Sequence, residues 1–510
     1  MPASNLIERV ADLVGTQLAE VPPALRPELE ELLVRLREPV RIAVVGRVNA
    51  GKSTMVNALL GQCVAPTDVS ECTRLVTWFH YGHPQRVVIE LSDGSSTETQ
   101  LGPDGKLPDE LGVPVEQVRA LHCYLANELL KWMTLIDTPG IGSVHKEYSA
   151  STEQLLAAEA ASSAATRRAD AVVFLFNQVV MEDELQALQL FKVGSSDDSS
   201  TAQSAANAVG VLAKADQLGD GSRDPWGVAL ELAGQYAGKF RDEVATVVPV
   251  IGLIAESAEA AVLTETDVRH LGELAAMEPK AFERLLWSAD RFVSAEAPLD
   301  EAARERLLEM LDLYGVRLAV SRIRDGVSAA VPLRRELSGA SGIAEVKQTL
   351  ARYFRQQDHL LKVRSVLEEL RRLSYGASDA AGTGTSTGSA VAAGGGASAG
   401  ELARFRSALE ALRLDPEMHP VVELEVLHDC CTGRVSLPGP MLEEITRLFA
   451  PGTPGNRLGI AGQERDALAE AATHQMARWR TFMVTEADPA QQRVARVVLR
   501  SYQLIWKDLQ

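Results

Sequence analysis

The stretch GRVNAGKST, residues 46–54, holds residue types at a spacing that can do chemistry. Gly46 and Gly51 frame four residues, and Lys52 and Ser53 follow, giving the G-x-x-x-x-G-K-S pattern of a phosphate-binding loop. Glycines let the backbone curl so that successive N–H groups, and the N-terminus of a following helix, point at an anion. Gly46, Asn49, Ala50, Gly51, Lys52, Ser53 and Thr54 are therefore expected to line a triphosphate. In that arrangement the lysine reaches the β- and γ-phosphates and the Ser53 hydroxyl binds Mg²⁺.

Two further motifs follow in order. LIDTPG carries Asp137 and Gly140 in a D-x-x-G pattern. The carboxylate can hold Mg²⁺ through a water, and the glycine N–H can sense a γ-phosphate. LAKAD then supplies Lys214 and Asp216. A carboxylate there accepts from guanine N1–H and N2–H₂, donors that adenine lacks, while the lysine stem lies along the base plane. The series predicts GTP. Thr73, ahead of Arg74 and a new strand, is the expected switch threonine that closes over Mg²⁺ and positions the attacking water. Thr67, between Pro66 and Asp68, reads as turn chemistry. The element that contacts the base from beyond VVPVIGLIAES is too degenerate to place.

Elements must hold these residues in register. RIAVV (41–45) reads as a buried strand running into the loop, and the helix after it opens at Thr54-Met-Val-Asn. Further strands are expected at LVTWFHY (75–81), RVVIEL (86–91), MTLID (133–137), AVVFLF (171–176), AVGVLAKA (208–215) and VVPVIGL (247–253). Strands alternating with helices predict an α/β domain with a mostly parallel sheet over 40–295. Residues 1–39 hold two helical stretches broken at Pro22-Pro23, and from 296 to 510 long amphipathic helices dominate. The stretch 376–400, almost wholly Gly, Ala, Ser and Thr, reads as a flexible loop between helices.

Composition narrows the function classes. The net charge is −18, of which residues 41–300 carry −16, so no segment supplies the basic face of a nucleic-acid-binding domain. No run of 18 apolar residues occurs, and five cysteines without a signal peptide suggest a reducing cytoplasm. His428, Cys430 and Cys431 lack zinc-ligand spacing. Arg493, Arg496 and Arg500 form a basic stripe at helical spacing, read as a neck helix paired with acidic N-terminal helices around Glu8 and Glu30-Glu31 rather than as a membrane-surface helix.

Taken together, G-x-x-x-A-G-K-S-T, the C-T-R entering a strand, D-T-P-G-I-G-S and A-K-A-D resemble the bacterial dynamin-like GTPases. APTDVSECTRLVTWFHYG and RLGIAGQERDALAEAATHQMARWR look most like the actinobacterial group, with its mycobacterial isoniazid-inducible and Streptomyces sporulation members. The resemblance implies an enlarged dynamin-type P-loop GTPase domain plus an all-α neck and trunk bundle in which the N-terminal helices pair with the neck. It implies self-association into homo-oligomers, or hetero-oligomers with a second dynamin-like protein. It implies contact with the inner face of the cell membrane, peripherally or through that partner, and a role in remodelling or with the division machinery at the sporulation septum. Nucleic acid is not an expected partner.

Two positions depart from the dynamin pattern. Val48 stands where dynamins carry a catalytic glutamine, and Ala213 replaces the usual Asn or Thr before Lys214. Asn49 offers a compensation: in a group of potassium-activated GTPases, asparagine at this loop position helps hold K⁺ against the phosphates, neutralising transition-state charge. The other reading of Asn49 is a cap on the loop backbone. Arg47 is a further candidate charge donor, in cis or across a dimer. Two alternatives remain: a GTPase of ribosome assembly or tRNA modification, whose loop GRVNAGKST also resembles, and a slow GTP switch whose helical bundle binds a protein partner.

Overall fold

The computed structural model of the chain describes residues 4–18, 21, 25–66, 75–108, 110–139, 168–178, 207–219, 224–240, 243–382, 399–431, 435–450 and 452–510. Among the described residues nine strands form one sheet: β1 (Val40–Gly46), β2 (Thr77–Tyr81), β3 (Arg86–Leu91), β4 (Ser96–Thr99), β5 (Val118–Leu125), β6 (Met133–Asp137), β7 (Ala171–Phe176), β8 (Ala208–Leu212) and β9 (Val247–Pro249). Their order is β4-β3-β5-β2-β6-β1-β7-β8-β9. The β6-β1-β7-β8-β9 run is parallel throughout, and β2 pairs parallel with β5; antiparallel pairing is confined to β2–β6, β3–β5 and β3–β4. The sheet is thus mostly parallel, as its apolar runs require: strands covered on both faces cannot afford alternating polar residues.

Two strands escape the sequence reading. β4 is a polar edge strand, exposed over most of its length and paired only to β3. β5 sends Leu121, Cys123 and Leu125 into one core, but its other face carries Ala120, His122 and Tyr124, which blur the apolar pattern. That second face has its own organisation. Trp78, His80, His122 and Tyr124 stack with centroids 5.1–6.2 Å apart, and the guanidinium groups of Arg41 and Arg86 cap the two ends of the row. His80 Nε2 lies 3.1 Å from His122 Nδ1, and His122 Nε2 lies 3.2 Å from Glu90. Burial, with His122 and Arg41 adding to it, pushes the His80 imidazole down to about 3, so the row is neutral at physiological pH.

Helices fall into four packing groups. In chain order they are α1 (Ser4–Leu18), α2 (Arg26–Arg37), α3 (Lys52–Leu60), α4 (Pro225–Lys239), α5 (Gly252–Glu259), α6 (Glu265–Ala275), α7 (Pro279–Leu285), α8 (Ala289–Ser294) and α9 (Glu301–Arg324). There follow α10 (Ala330–Ser341), α11 (Ile343–Tyr353), α12 (Asp358–Gly382), α13 (Ala399–Leu414), α14 (His419–Cys431), α15 (Gly439–Leu448), α16 (Pro454–Leu458), α17 (Arg465–Thr485) and α18 (Pro489–Asp508). One sheet face shares a core with α4–α10 and the other with α3 and α11. The helical signal that begins near 296 therefore runs for two helices and more through the cores of the sheet.

Beyond those layers, α1 and α2 bury Val10, Val14, Leu29 and Leu36 against Val363, Leu370, Phe405 and Leu409 of α12 and α13. A fourth core joins the end of α14 to α15–α18 around Trp479 and Tyr502. The basic stripe lies here, on α18, which packs on α17 and α14 rather than on α1 or α2; Arg493 pairs with Asp429 of α14. α12 continues to Gly382, inside the Gly/Ala/Ser/Thr stretch, and α13 begins at Ala399; residues 383–398 lie outside those described.

Arg35 joins the groups. Its guanidinium, almost wholly buried, donates to Asp170 at 2.8 Å and to Ser365 of α12, while Asp170 also accepts the Arg41 N–H at 2.9 Å. α9 is not one straight helix. Asp312 breaks it with φ 53 and ψ 176, a left-handed conformation costing on the order of 1–3 kcal/mol for a non-glycine residue. Ser257 of α5 donates to the Met310 carbonyl at 2.7 Å beside the break. A Cβ at Gly315 would lie 3.0 Å from Ile254, so α5 and α9 approach closely there.

Candidate nucleotide-binding site

The loop after β1 sits where a parallel sheet places its ligands, at the carboxyl ends of the strands. β1 is flanked by β6 and β7, and the register sets Val44 beside Asp137 and Gly46 beside Leu175. A Cβ at Gly46 would come within 2.5 Å of the Leu175 carbonyl, so only glycine lets the chain turn off the strand there. Asn49 adopts φ 62, and Gly51 adopts φ 92 at the N-cap of α3, curling the backbone ahead of the helix. Ala50 is buried, while Val48 and Asn49 stand exposed, Val48 at 46 %.

Lys52 is buried, and its Nζ donates to the Arg47 carbonyl at 2.9 Å, holding the ammonium across the loop. Burial pulls its pKa below the usual lysine value, with Asp137 opposing the shift. Ser53 Oγ donates to Asp137 Oδ2 at 2.9 Å. Burial drives the Asp137 carboxyl above the ordinary range, and Lys52 and the serine hydroxyl pull it back. Asp137 Oδ1 is buried and has no hydrogen-bond partner among the described residues. A carboxylate oxygen without a donor, beside a hydroxyl, is a hard-oxygen donor set of the kind Mg²⁺ takes, so these residues fit the ion. Thr138, which the sequence reading passes over, ties the end of β6 to β1 by donating to the Val44 carbonyl at 2.8 Å.

The second half of the pocket forms at the ends of β8 and β9. Lys214 takes the left-handed conformation (φ 54), turning the chain into the 3₁₀ turn Ala215–Gln217 that carries Asp216. Ala213 N–H donates to the Phe176 carbonyl at 2.9 Å and Ala215 N–H to the Val250 carbonyl at 3.2 Å, locking the turn against β7 and β9. Burial raises the Asp216 carboxyl, a like charge at Asp312 adds to this, and Lys214 opposes it. After β9 the chain runs directly into the N-terminus of α5, beside this turn. A Cβ at Gly252 would lie 3.4 Å from the Thr54 methyl, so this terminus also touches the phosphate-loop helix.

Lys52, Ser53 and Asp137 are thus in one cluster, and Lys214 and Asp216 in a second, bridged by the contact between Thr54 and α5. Thr67, Thr73, Arg74 and Gly140 lie outside the described residues. A phosphate loop on β1, a carboxylate at the end of its parallel neighbour and a K-x-D turn after β8 define a P-loop GTPase. The strands β3–β5 enlarge its sheet beyond β2.

Comparison with known proteins narrows the class. Residues 42–214 match the dynamin family. The isoniazid-induced protein IniC of Mycobacterium tuberculosis (strain CDC 1551 / Oshkosh) is 34 % identical over 355 residues, 68 % of this chain and 69 % of its own length. Dynamin-like protein 2 of Campylobacter jejuni is 32 % identical over 132 residues, 26 % of this chain and 22 % of its own. A solved oligomerised bacterial dynamin pair aligns over 98 % of this chain and 90 % of its own at 13 % identity, with a TM-score of 0.34, too low to bear on how the parts are arranged. The chain belongs to the bacterial dynamin-like GTPases of the dynamin family.

Proposed function

We propose that the chain binds GTP between the phosphate loop and the Lys214–Asp216 turn, hydrolyses it with Mg²⁺, and uses the cycle to self-associate and move its helical bundle at a membrane surface. The Ser53–Asp137 contact, with an unpartnered carboxylate oxygen beside the buried Lys52, is the observation that carries the catalytic half. Ser53, Asp137 and Thr73 hold Mg²⁺, which neutralises charge on the phosphates when bound. Gly46, Asn49, Ala50, Gly51, Lys52 and Thr54 cradle the phosphates, and Gly140 senses the γ-phosphate. Asp216 selects guanine while Lys214 lies along the base.

With Val48 in place of glutamine, no side chain at that position can orient water by hydrogen bonding, so turnover is slow unless Asn49 with K⁺, or Arg47, supplies the missing charge. Asn49 is exposed with a left-handed backbone beside the phosphate cradle, a geometry compatible with either the cap or the K⁺ reading. The division into N-terminal helices 1–39, GTPase domain 40–295 and neck and trunk 296–510 is part of the proposal, with α9–α11 of the last segment packed in the cores of the sheet. The core that joins α1 and α2 to α12–α14 supports the pairing of the N-terminal helices with the neck.

No helix among the described residues is long and apolar enough to cross a membrane. Membrane contact in this proposal is peripheral, at the inner face of the cell membrane, or made through a second dynamin-like protein. Remodelling or support of the division septum during sporulation is the cellular role it suggests. Similarity to IniC extends over 355 residues and therefore past the GTPase domain, favouring this reading over a compact RNA-linked GTPase. The test is GTP turnover per molecule against protein concentration, with and without anionic liposomes. A rate that rises with either supports assembly-stimulated hydrolysis; a flat, slow rate with intact GTP binding makes the protein a switch instead.

A further inference from the structure

Asn177 follows β7 directly and is partly buried, and its Oδ1 is buried with no hydrogen-bond partner among the described residues. The backbone is held on both sides of it. The Phe176 carbonyl accepts the Ala213 N–H at 2.9 Å, and the Gln178 carbonyl accepts the Tyr236 hydroxyl at 2.6 Å. Tyr236 also meets the Phe176 ring edge-on, with centroids 5.4 Å apart. A carboxamide is thus kept at a fixed place in the fold while its buried oxygen forgoes the bond that such groups nearly always make. With that end unheld, rotation about χ2 can turn either the oxygen or the amide nitrogen toward an arriving ligand.

This position lies between the two halves of the nucleotide site. β7 runs between β1, which carries the phosphate loop, and β8, which carries the Lys214–Asp216 turn. The register sets Leu175 beside Gly46 and Phe176 beside Leu212. Leu175 and Ala213 belong to the core on the α3 side of the sheet, and the alternation of the strand brings Asn177, two residues beyond Leu175, up on that side. A nucleotide with its base at the turn and its phosphates at the loop crosses this strand end, the six-membered ring toward Asp216 and the five-membered ring toward β7. Asp216 takes the N1–H and N2–H₂ donors, which leaves the acceptors O6 and N7 to be matched. O6 adjoins the edge that Asp216 holds, whereas N7 belongs to the five-membered ring. Ala213, in place of the usual Asn or Thr, has no side-chain donor to offer it.

We infer that Asn177 binds the base, its Nδ2 donating to guanine N7 from the end of β7. The inference rests on the GTPase reading above and adds to it a residue that belongs to neither the phosphate loop nor the K-x-D motif. The test removes the acceptor and the donor in turn. 7-Deaza-GTP, in which a C–H replaces N7, keeps the triphosphate and the edge read by Asp216. Equilibrium competition against a fluorescent guanine nucleotide, on the full chain with Mg²⁺, reads both affinities. Wild type should bind 7-deaza-GTP about tenfold more weakly than GTP, since the amide is then left without a partner. In Asn177→Ala the preference should vanish, with GTP falling about tenfold to the level of the analogue and the analogue itself changing less than about twofold.

A side chain that only supported the pocket would lower both nucleotides together and leave their ratio unchanged, so a preference that survives in Asn177→Ala overturns the inference. If Asn177→Ala does not fold, Asn177→Asp, which keeps the size and lacks the donor, must abolish the preference for GTP, and a preference that persists there overturns it. Equal affinities for the two nucleotides in the wild type refute the inference alone. Absence of GTP binding by the wild type refutes the GTPase reading and the inference with it.

Discussion

Replacing Arg35 by methionine tests how the helical bundle is fixed to the nucleotide-bearing sheet. The Arg35–Asp170 pair leaves the two side chains only 7 % and 1 % exposed. Methionine keeps most of the stem and removes the charge, so the loss is electrostatic. The Asp170 carboxylate then stays buried with the Arg41 N–H but without its counter-ion. Breaking a buried pair on one side costs about 3–5 kcal/mol, because the remaining charge is uncompensated. The pair itself is worth far less, since desolvation of both ions offsets most of their attraction, and Arg35 Nε is buried with no partner among the described residues.

The cycle Arg35→Met, Asp170→Asn and Arg35→Met/Asp170→Asn therefore has an asymmetric expectation. Each single variant should lower the melting temperature by several degrees, and the double variant should recover most of the loss, its carboxamide still accepting the Arg41 N–H. Differential scanning calorimetry at low protein concentration reads this directly. Single variants within about one degree of wild type, or a double variant with additive losses, would refute the assignment of Arg35 as a charge-compensated joint.

Asp216→Asn should weaken GTP binding by about 1.5–3 kcal/mol, and, because a carboxamide can donate to the O2 of xanthine, should improve binding of xanthosine triphosphate; titration with fluorescent analogues decides it, and an unchanged GTP affinity removes Asp216 from the base site. Turnover in K⁺ should exceed that in Na⁺ or Li⁺ if Asn49 holds a monovalent ion, and Asn49→Ala should erase the difference; equal rates in the three salts leave Asn49 as a loop cap. Burial pushes His419 down to about 4, with Arg500 and Arg457 adding to it, as burial pushes His80 to about 3. Unfolded histidine titrates near 6.5, so this part of the stability is whole above that pH and declines on acidification toward 4, by up to about 1.4 kcal/mol per pH unit for each histidine. His419→Gln should flatten the melting-temperature profile between pH 6.5 and 4.5, and an equally steep profile would count against this source.

The parts of the site legible in the sequence are those whose residue types have one structural meaning. β1, β6 and β7 are apolar on both faces, so RIAVV, MTLID and AVVFLF could be little else, and the phosphate loop and the two carboxylate motifs sit at strand ends. What escaped are features that depend on neighbours distant in the chain. β5 has histidine and tyrosine on one face because Trp78 and two arginines stack with them, a context no local pattern reports. The break at Asp312 falls in a stretch with good helical periodicity, and only the close approach of α5 at Gly315 and Ser257 marks it. The basic stripe of α18 was legible as a bundle face, but its partner, Asp429 on α14, was not, since any acidic helix satisfies charge alone.

The pairing of α1 and α2 with α12–α14 sets an order in time. Arg9 meets Asp415 across 406 positions of chain. At about 5–20 residues per second, a ribosome takes roughly 20–80 s to supply the second partner after the first has emerged. For most of that interval Val10, Val14, Leu29 and Leu36 have only the packing of α1 on α2 and lack their partners on α12 and α13, while the sheet and its two helical layers are already complete enough to fold. The nascent protein is thus a folded GTPase carrying an α1–α2 pair that has not yet met α12 and α13, a natural client for a holding chaperone. Chains arrested near residue 390 should show α1 and α2 open to protease while β1 is protected.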